Sequence, residues 1–172
     1  MRAFISIDVP RDIAANMAKL QPELPQDVIK PVDQGNMHLT LRFLGNDVKD
    51  EQVPRIKEII ASIKFEPFVI KCKGVGVFPN PHYVRAVWVG VDSGGKIEEI
   101  NKELNEKLQE FGFEDEPFMS HLTIARVRRR VDLSDFVSKH KDDAFGEFTV
   151  KEGGIKLKRS QFTSSKPIHT TL

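Results

Sequence analysis

Only one cysteine, one tryptophan and one tyrosine occur among the 172 residues. A single thiol, Cys72, closes no internal disulfide and builds no cysteine-rich zinc site. Its neighbours Val69-Ile70-Lys71 read as a strand, so the thiol is expected to be buried and inert. A nucleophilic cysteine would need a base and an electropositive setting that this sequence does not display. Long apolar runs are missing as well: the longest span a few residues, as in Val87-Trp88-Val89, where a membrane helix needs about 20. The opening MRAFISID meets an acid before a signal-peptide core could form, which makes the expected location cytoplasmic. Nor is there an excess of charge, with 26 basic and 25 acidic side chains giving a formal +1. That balance argues against a protein that coats nucleic acid nonspecifically, while a local basic patch still suffices for a few phosphate contacts. The runs Arg126-Val127-Arg128-Arg129-Arg130 and Lys156-Leu157-Lys158-Arg159 are the candidates, although most such runs are solvated surface. No KxDG lysine for adenylate transfer and no GxxxxGK[ST] phosphate loop can be found.

The periodicities that are present alternate between strand and helix. Residues 2–8 are β-rich, and Pro10 can open a helix running to about Leu20, with Ile13, Met17 and Leu20 on one face. Pro22, Pro25 and Pro31 make 21–36 a loop. A strand over 37–44 ends at Gly45-Asn46-Asp47, and a helix over 50–63 carries Val53, Ile56, Ile59, Ile60 and Ile63 as its stripe. Strands over 67–77 and 83–91 form a hairpin or meander around Pro79-Asn80-Pro81. A helix over 94–111 buries Ile97, Ile100, Leu104, Leu108 and Phe111, with Gly112 as its stop. A strand over 120–127, a short helix near 132–139, and strands near 146–151 and 155–161 complete the chain, the last two paired through Gly153-Gly154. Strands and helices without regular βαβ alternation give an α+β class.

Two tetrapeptides are nearly identical, His38-Leu39-Thr40-Leu41 and His121-Leu122-Thr123-Ile124, 83 residues apart and so near half the chain length. Each lies on an expected strand, which suggests two lobes related by approximate two-fold symmetry. Side chains alternate along a strand, so His and Thr share one face while Leu39 and Leu41, like Leu122 and Ile124, pack behind. If the polar faces meet across a cleft, two imidazoles flank two hydroxyls. That set suits in-line hydrolysis of a phosphodiester. Histidine can hold either protonation state near neutral pH, so one ring can act as base and the other as acid, and threonine hydroxyls can donate to non-bridging oxygens. A lone HxT tripeptide is more simply read as packing, and the repetition is what turns the reading. Two histidines could also bind zinc, but neither motif supplies an HxH or HExxH partner.

The segments HLTLRFLG and HLTIAR resemble the paired signatures of the two-histidine phosphoesterase superfamily. They resemble more closely its archaeal and bacterial 2′-5′ RNA ligase-like family, also called RNA 2′,3′-cyclic phosphodiesterases. MRAFISIDVP, VRAVWVGV and KLKRSQF are similar to that family too, so the resemblance spans essentially the whole chain. It implies an α+β, bilobal fold with pseudo-two-fold symmetry, one unit over 1–172, with antiparallel sheets lining a central cleft and helices packed outside. It implies hydrolysis of an RNA 2′,3′-cyclic phosphate to a 2′-phosphate. RNA ends, tRNA fragments among them, are the expected partners, no metal or cofactor is expected, and a monomer is expected because nothing suggests an obligate oligomer. On the family pattern His38 is the proton donor to the leaving 3′-oxygen and His121 the acceptor that activates water. Thr40 and Thr123 hold the phosphate, with Arg126 assisting.

Strict alternation sets limits on this carry-over. It places Ala125 rather than Arg126 on the active face, so Arg126 needs a bulge or a strand end. The same rule puts Arg42 on the active side at the rim and Phe43 in the core. The chain also departs from the family pattern, with Ser120 where Pro often precedes the second His, and Lys166-Pro167-Ile168-His169 where the family often has Gly-Pro-x-Tyr. His169, His82 and His140 belong to no repeated motif and read as surface or structural, and Trp88 reads as core packing. Other functions fit the same motifs. They are 2′-5′ ligation of RNA ends such as tRNA halves, a noncatalytic RNA-end-binding module, and hydrolysis of a small cyclic nucleotide.

Overall fold

The β-branched, alternating segments pair into two antiparallel sheets. The structure, a computed structural model, describes residues 1–163 and 166–172. Sheet A contains β3 (His38–Gly45), β1 (Arg2–Asp8), β8 (Ile155–Phe162) and β9 (Pro167–Thr171), in that order. Sheet B contains β2 (Ile29–Pro31), β6 (His121–Val127), β5 (Tyr83–Asp92), β4 (Phe68–Asn80) and β7 (Ala144–Val150). Four helices cover them: α1 (Arg11–Ala18), α2 (Val53–Ser62), α3 (Lys96–Glu110) and α4 (Ser134–His140). α2 and α3 pack on sheet A through β8 and β3, whereas α1 and α4 pack on sheet B through β7 and β4. The expected stripes are buried for the most part, Ile13 and Met17 in α1, Ile56 and Ile59 in α2, and Ile97, Ile100, Leu104 and Leu108 in α3, while Val53, Ile60 and Phe111 are half-buried. The α+β, two-sheet architecture with helices outside is therefore the one read from the sequence. Among the described residues no helix is long and apolar enough to cross a membrane.

The lobes do not coincide with the halves of the chain. By position, β3-β1-β8 in sheet A matches β6-β5-β4 in sheet B. Yet β4 belongs to the first half and serves the second lobe, while β8 belongs to the second half and serves the first. The expected hairpin of β7 with β8 accordingly does not form. Gly153 does turn the chain with φ +87°, but β7 pairs with β4 and β8 pairs with β1. A turn signal specifies a change of direction, not the partner on the far side. The hairpin of β4 with β5 is present. β9 was not anticipated beside Pro167, and it forms as an edge strand on β8, where a residue without N–H is tolerated. The loop 21–36 holds two short 3₁₀ turns and β2, the latter paired to β6.

Candidate active site

Local backbone geometry fixes both imidazoles in the same way. His38 Nδ1 lies 2.6 Å from the Asn36 carbonyl, and His121 Nδ1 lies 2.7 Å from the Met119 carbonyl, in each case two residues upstream. A carbonyl can only accept, so each Nδ1 carries the hydrogen and each Nε2 is left for chemistry. An aromatic ring braces each histidine. Phe4 stacks on His38 at 4.8 Å between centroids, and Phe78 meets His121 edge-on at 5.1 Å. The indole of Trp88 is also against His121, 6.2 Å away, and lies over Gly76. Trp88 is the cross-strand partner of Thr123 and is half-buried, so it lies on the same sheet face as the His–Thr pair, beside His121, and not in the core where the sequence reading put it.

β3 and β6 touch where the two sheets meet, and the cleft between them has a volume of about 1080 Å³. His38, Thr40, His121, Thr123 and Arg126 all line it, so the structure brings together every residue that the motifs singled out. Neither threonine hydroxyl has a hydrogen-bond partner among the described residues. Arg126 reaches this face because β6 bulges at Ile124. Trp88 pairs with Thr123 and Val87 with Ala125, leaving Ile124 unpaired, so Ala125 turns inward and Arg126 outward.

β3 repeats the device one lobe away. Ser6 pairs with Thr40 and Ile5 with Arg42, which leaves Leu41 as the extra residue. The expectation for Phe43 falls with it, because alternation fails at a bulge, while Arg42 lines the cleft at its edge. Phe43 does not enter the core but lines the cleft under the Arg2 guanidinium, 4.4 Å from its centroid. Arg42 leaves the His38–Thr40 row and is buried at the cleft edge, with its side chain only 4% exposed. There it donates to the Glu114 carbonyl and pairs with Glu116 at 3.1 Å, tying down the segment that leads to Met119. Both bulges are held by side-chain amides: Asn101 Nδ2 donates to the Leu41 carbonyl at 2.7 Å, and Gln21 Nε2 to the Ile124 carbonyl at 2.9 Å. The sequence reading assigned nothing to either amide. A polar Asn101 within the apolar stripe of its helix was the one available signal.

His169 is the main correction. It sits in the cleft with its ring 5.0 Å from those of both Phe4 and His38, rather than on a remote surface. The curl of sheet A allows this by bringing its edges together: Asn36 Nδ2 donates to the Pro167 carbonyl at 2.8 Å, and Lys166 pairs with Asp33 at 3.0 Å. Burial, and then the nearby His169 charge, push the His38 pKa down to about 4. His169 is itself lowered, by burial and then by Lys158 and Arg2. Of the other two, His82 is exposed and bonds Asp132, and His140 is buried between Asp143 and Glu23, both outside the cleft. Lys156 and Lys158 are committed to Asp8, so that run is no open patch. Cys72 is buried, and burial pushes its thiol up to about 11, as an inert packing residue requires. Among the described residues there is no cluster of three or more His, Cys, Asp or Glu fit to hold a metal ion.

Comparison with known proteins places the chain in a family. The model of the LigT-like phosphoesterase family matches the chain twice, over residues 7–88 and 89–169, one HxT motif in each. The RNA 2′,3′-cyclic phosphodiesterase of Methanocaldococcus jannaschii is 39% identical over 176 residues, covering 100% of this chain and 98% of the relative. Its counterpart in Archaeoglobus fulgidus is 38% identical over 175 residues, with the same shares covered. A crystal structure of a Thermus thermophilus protein superposes with a TM-score of 0.84 at 26% identity, over 100% of this chain and 95% of that one. Escherichia coli LigT without ligand shares the fold at TM-score 0.80 and 23% identity, over 99% and 94% of the two chains. With the family model matched over nearly its whole length and such relatives end to end, the chain belongs to the LigT-like phosphoesterase family.

Proposed function

We propose that the protein is an RNA 2′,3′-cyclic phosphodiesterase in which His38 and His121 are the acid and base. The observation that carries this is the matched pair of Nδ1 bonds, to Asn36 and to Met119, which leave two Nε2 atoms on one cleft with two unpartnered hydroxyls beside them. The cyclic phosphate sits between the rings. His121 Nε2 takes a proton from water as its oxygen bonds to phosphorus, the bond from phosphorus to O3′ breaks, and His38 Nε2–H protonates that oxygen. The product is a 2′-phosphate beside a free 3′-hydroxyl. Thr40, Thr123 and Arg126 donate to the non-bridging oxygens, where charge gathers in the transition state.

The assignment of His38 as donor follows the family resemblance, and its environment adds a condition. A histidine held near 4 is neutral in the free enzyme at neutral pH. An anionic diester bound alongside favours the charged form, so His38 gains its proton as substrate binds. The same reading has the enzyme work as a cytoplasmic monomer on RNA ends, tRNA fragments among them.

The test is incubation with an RNA ending in 2′,3′-cyclic phosphate, without nucleotide and with EDTA, followed by identification of the product. A 2′-phosphate is expected, and His38→Ala and His121→Ala are each expected to lose on the order of 10²- to 10⁴-fold in rate. A 3′-phosphate or a joined strand, or near-normal turnover by either variant, would replace this account. Loss of wild-type activity in EDTA would point to a metal.

A further inference from the structure

The arginine run after the second motif divides by partner. Arg129 is taken by Asp27, bonding its carbonyl at 3.0 Å, and Arg130 lies over the Tyr83 ring at 5.9 Å. Arg126 and Arg128 have no ion pair among the described residues, and neither has Lys30 on β2. All three are exposed and line the same cleft. Lys30 and Arg126 are moreover direct cross-strand partners in the β2–β6 ladder. Like charges placed opposite one another in a sheet are destabilising. Acids elsewhere on the surface find lysines and arginines, as Asp8, Glu23 and Asp33 do, yet none is set against this trio. Folding gains nothing from the arrangement, in a chain whose net charge is only +1.

Its direction is informative. β6 starts at His121 and Thr123, passes Arg126 and ends just short of Arg128. At the rise of an extended strand, Arg128 lies roughly 16 Å along the chain from Thr123. Arg128 therefore stands outward of the phosphate that Thr123 faces, and Lys30, level with Arg126 on the neighbouring strand, stands between them, so a second phosphate is within reach of both.

From this we infer that Lys30 and Arg128 form a subsite for a backbone phosphate upstream of the reacting end, so that the preferred substrate is an oligoribonucleotide and not a mononucleoside cyclic phosphate. The inference rests on the cleft opening a cyclic phosphodiester. The strand enters with its terminal nucleoside between the histidines, and its preceding phosphates follow β6 and β2 outward. Binding then has the salt dependence of phosphate neutralisation, about 0.7 in log–log slope for each contact to a single strand.

The experiment compares kcat/KM for adenosine 2′,3′-cyclic phosphate with that for a short oligoribonucleotide ending in the same group, using wild type and Lys30→Gln/Arg128→Gln. Both side chains are exposed, and a matching thermal melt checks the fold. The double variant is expected to lose about tenfold or more per cation on the oligonucleotide, the order of a charge-assisted hydrogen bond, and to keep wild-type kcat/KM on the mononucleoside. Its salt slope on the oligonucleotide should flatten by about 1.4, two contacts' worth. Equal loss on both substrates would overturn the subsite, because the cations would then serve the reacting phosphate. So would no loss on either. Wild type that turns over neither substrate would instead remove the proposed function beneath it.

Discussion

His38 and His169 meet edge to face, 5.0 Å between centroids and 74° between planes, although they stand on opposite outer strands of the same sheet. Burial and the neighbouring imidazole charge both favour neutral His38, so removing His169 relieves both. In His169→Ala the acidic limb of the kcat/KM profile, set by His38 near pH 4 in wild type, should move up toward 6.5. His169→Phe keeps a buried ring without the charge and should move it less. An unshifted limb in both variants would show that His169 does not act on His38.

The two bulges give a second prediction. Gln21→Ala removes one of two donors from the Ile124 carbonyl, which keeps the Val32 N–H at 2.9 Å, and the side-chain donor at 2.8 Å from the Val32 carbonyl, while Asn101→Ala removes the side-chain donor from the Leu41 carbonyl. Each lost hydrogen bond costs about 0.5–1.5 kcal/mol, so both variants should melt early. Only Gln21→Ala is expected to raise KM as well, because its bulge aims Arg126 whereas the other aims Phe43. Equal KM values for the two would contradict the role given to the Ile124 bulge.

Gly76 makes room for the indole beside His121. A Cβ there would lie 2.2 Å from Trp88 Cη2. Gly76→Ala should cost about 1–3 kcal/mol through overpacking and lower kcat by displacing the indole against His121. Adding Trp88→Leu should recover part of the stability. A wild-type melting curve for Gly76→Ala would refute the contact.

His140 sets a dependence of stability on pH. Burial alone would lower its pKa, but its bonds to Asp143 at 2.6 Å and Glu23 at 3.1 Å outweigh that and raise it above 6.5. A raised folded-state pKa stabilises fully below the unfolded value and less as pH climbs through the folded one. Thermal melts should therefore show Tm falling from slightly acidic into alkaline pH, with a flatter curve for His140→Gln. A Tm independent of pH in wild type would count against the pairing.

What the sequence made legible was local. Helical stripes such as Ile97, Ile100, Leu104 and Leu108, the β4–β5 hairpin and the His–Thr spacing each depend on neighbours a few residues away. Arg126 was legible only as a contradiction, since its role demanded a bulge that no residue announced. Leu41 and Ile124 are extra residues because amides 60 and 103 positions distant in the chain hold their carbonyls. The place of His169 likewise depends on the curl of a whole sheet and on Asn36 reaching Pro167. Pairings at that range leave no periodic trace, which is why Phe43 and His169 were each misplaced.

The crossing of β4 and β8 between lobes has a consequence for how the molecule comes into being. Each half of the chain sends two strands into the other's sheet, β2 and β4 one way and β8 and β9 the other, the topology of a strand-exchanged dimer whose two subunits have been fused end to end. A nascent chain that has already released His38 still lacks β8, which pairs with β1 from Arg2 to Ile7, and β9, which carries His169. The His38 ring therefore has no finished wall until β9 has left the ribosome, although His38 itself is synthesised early.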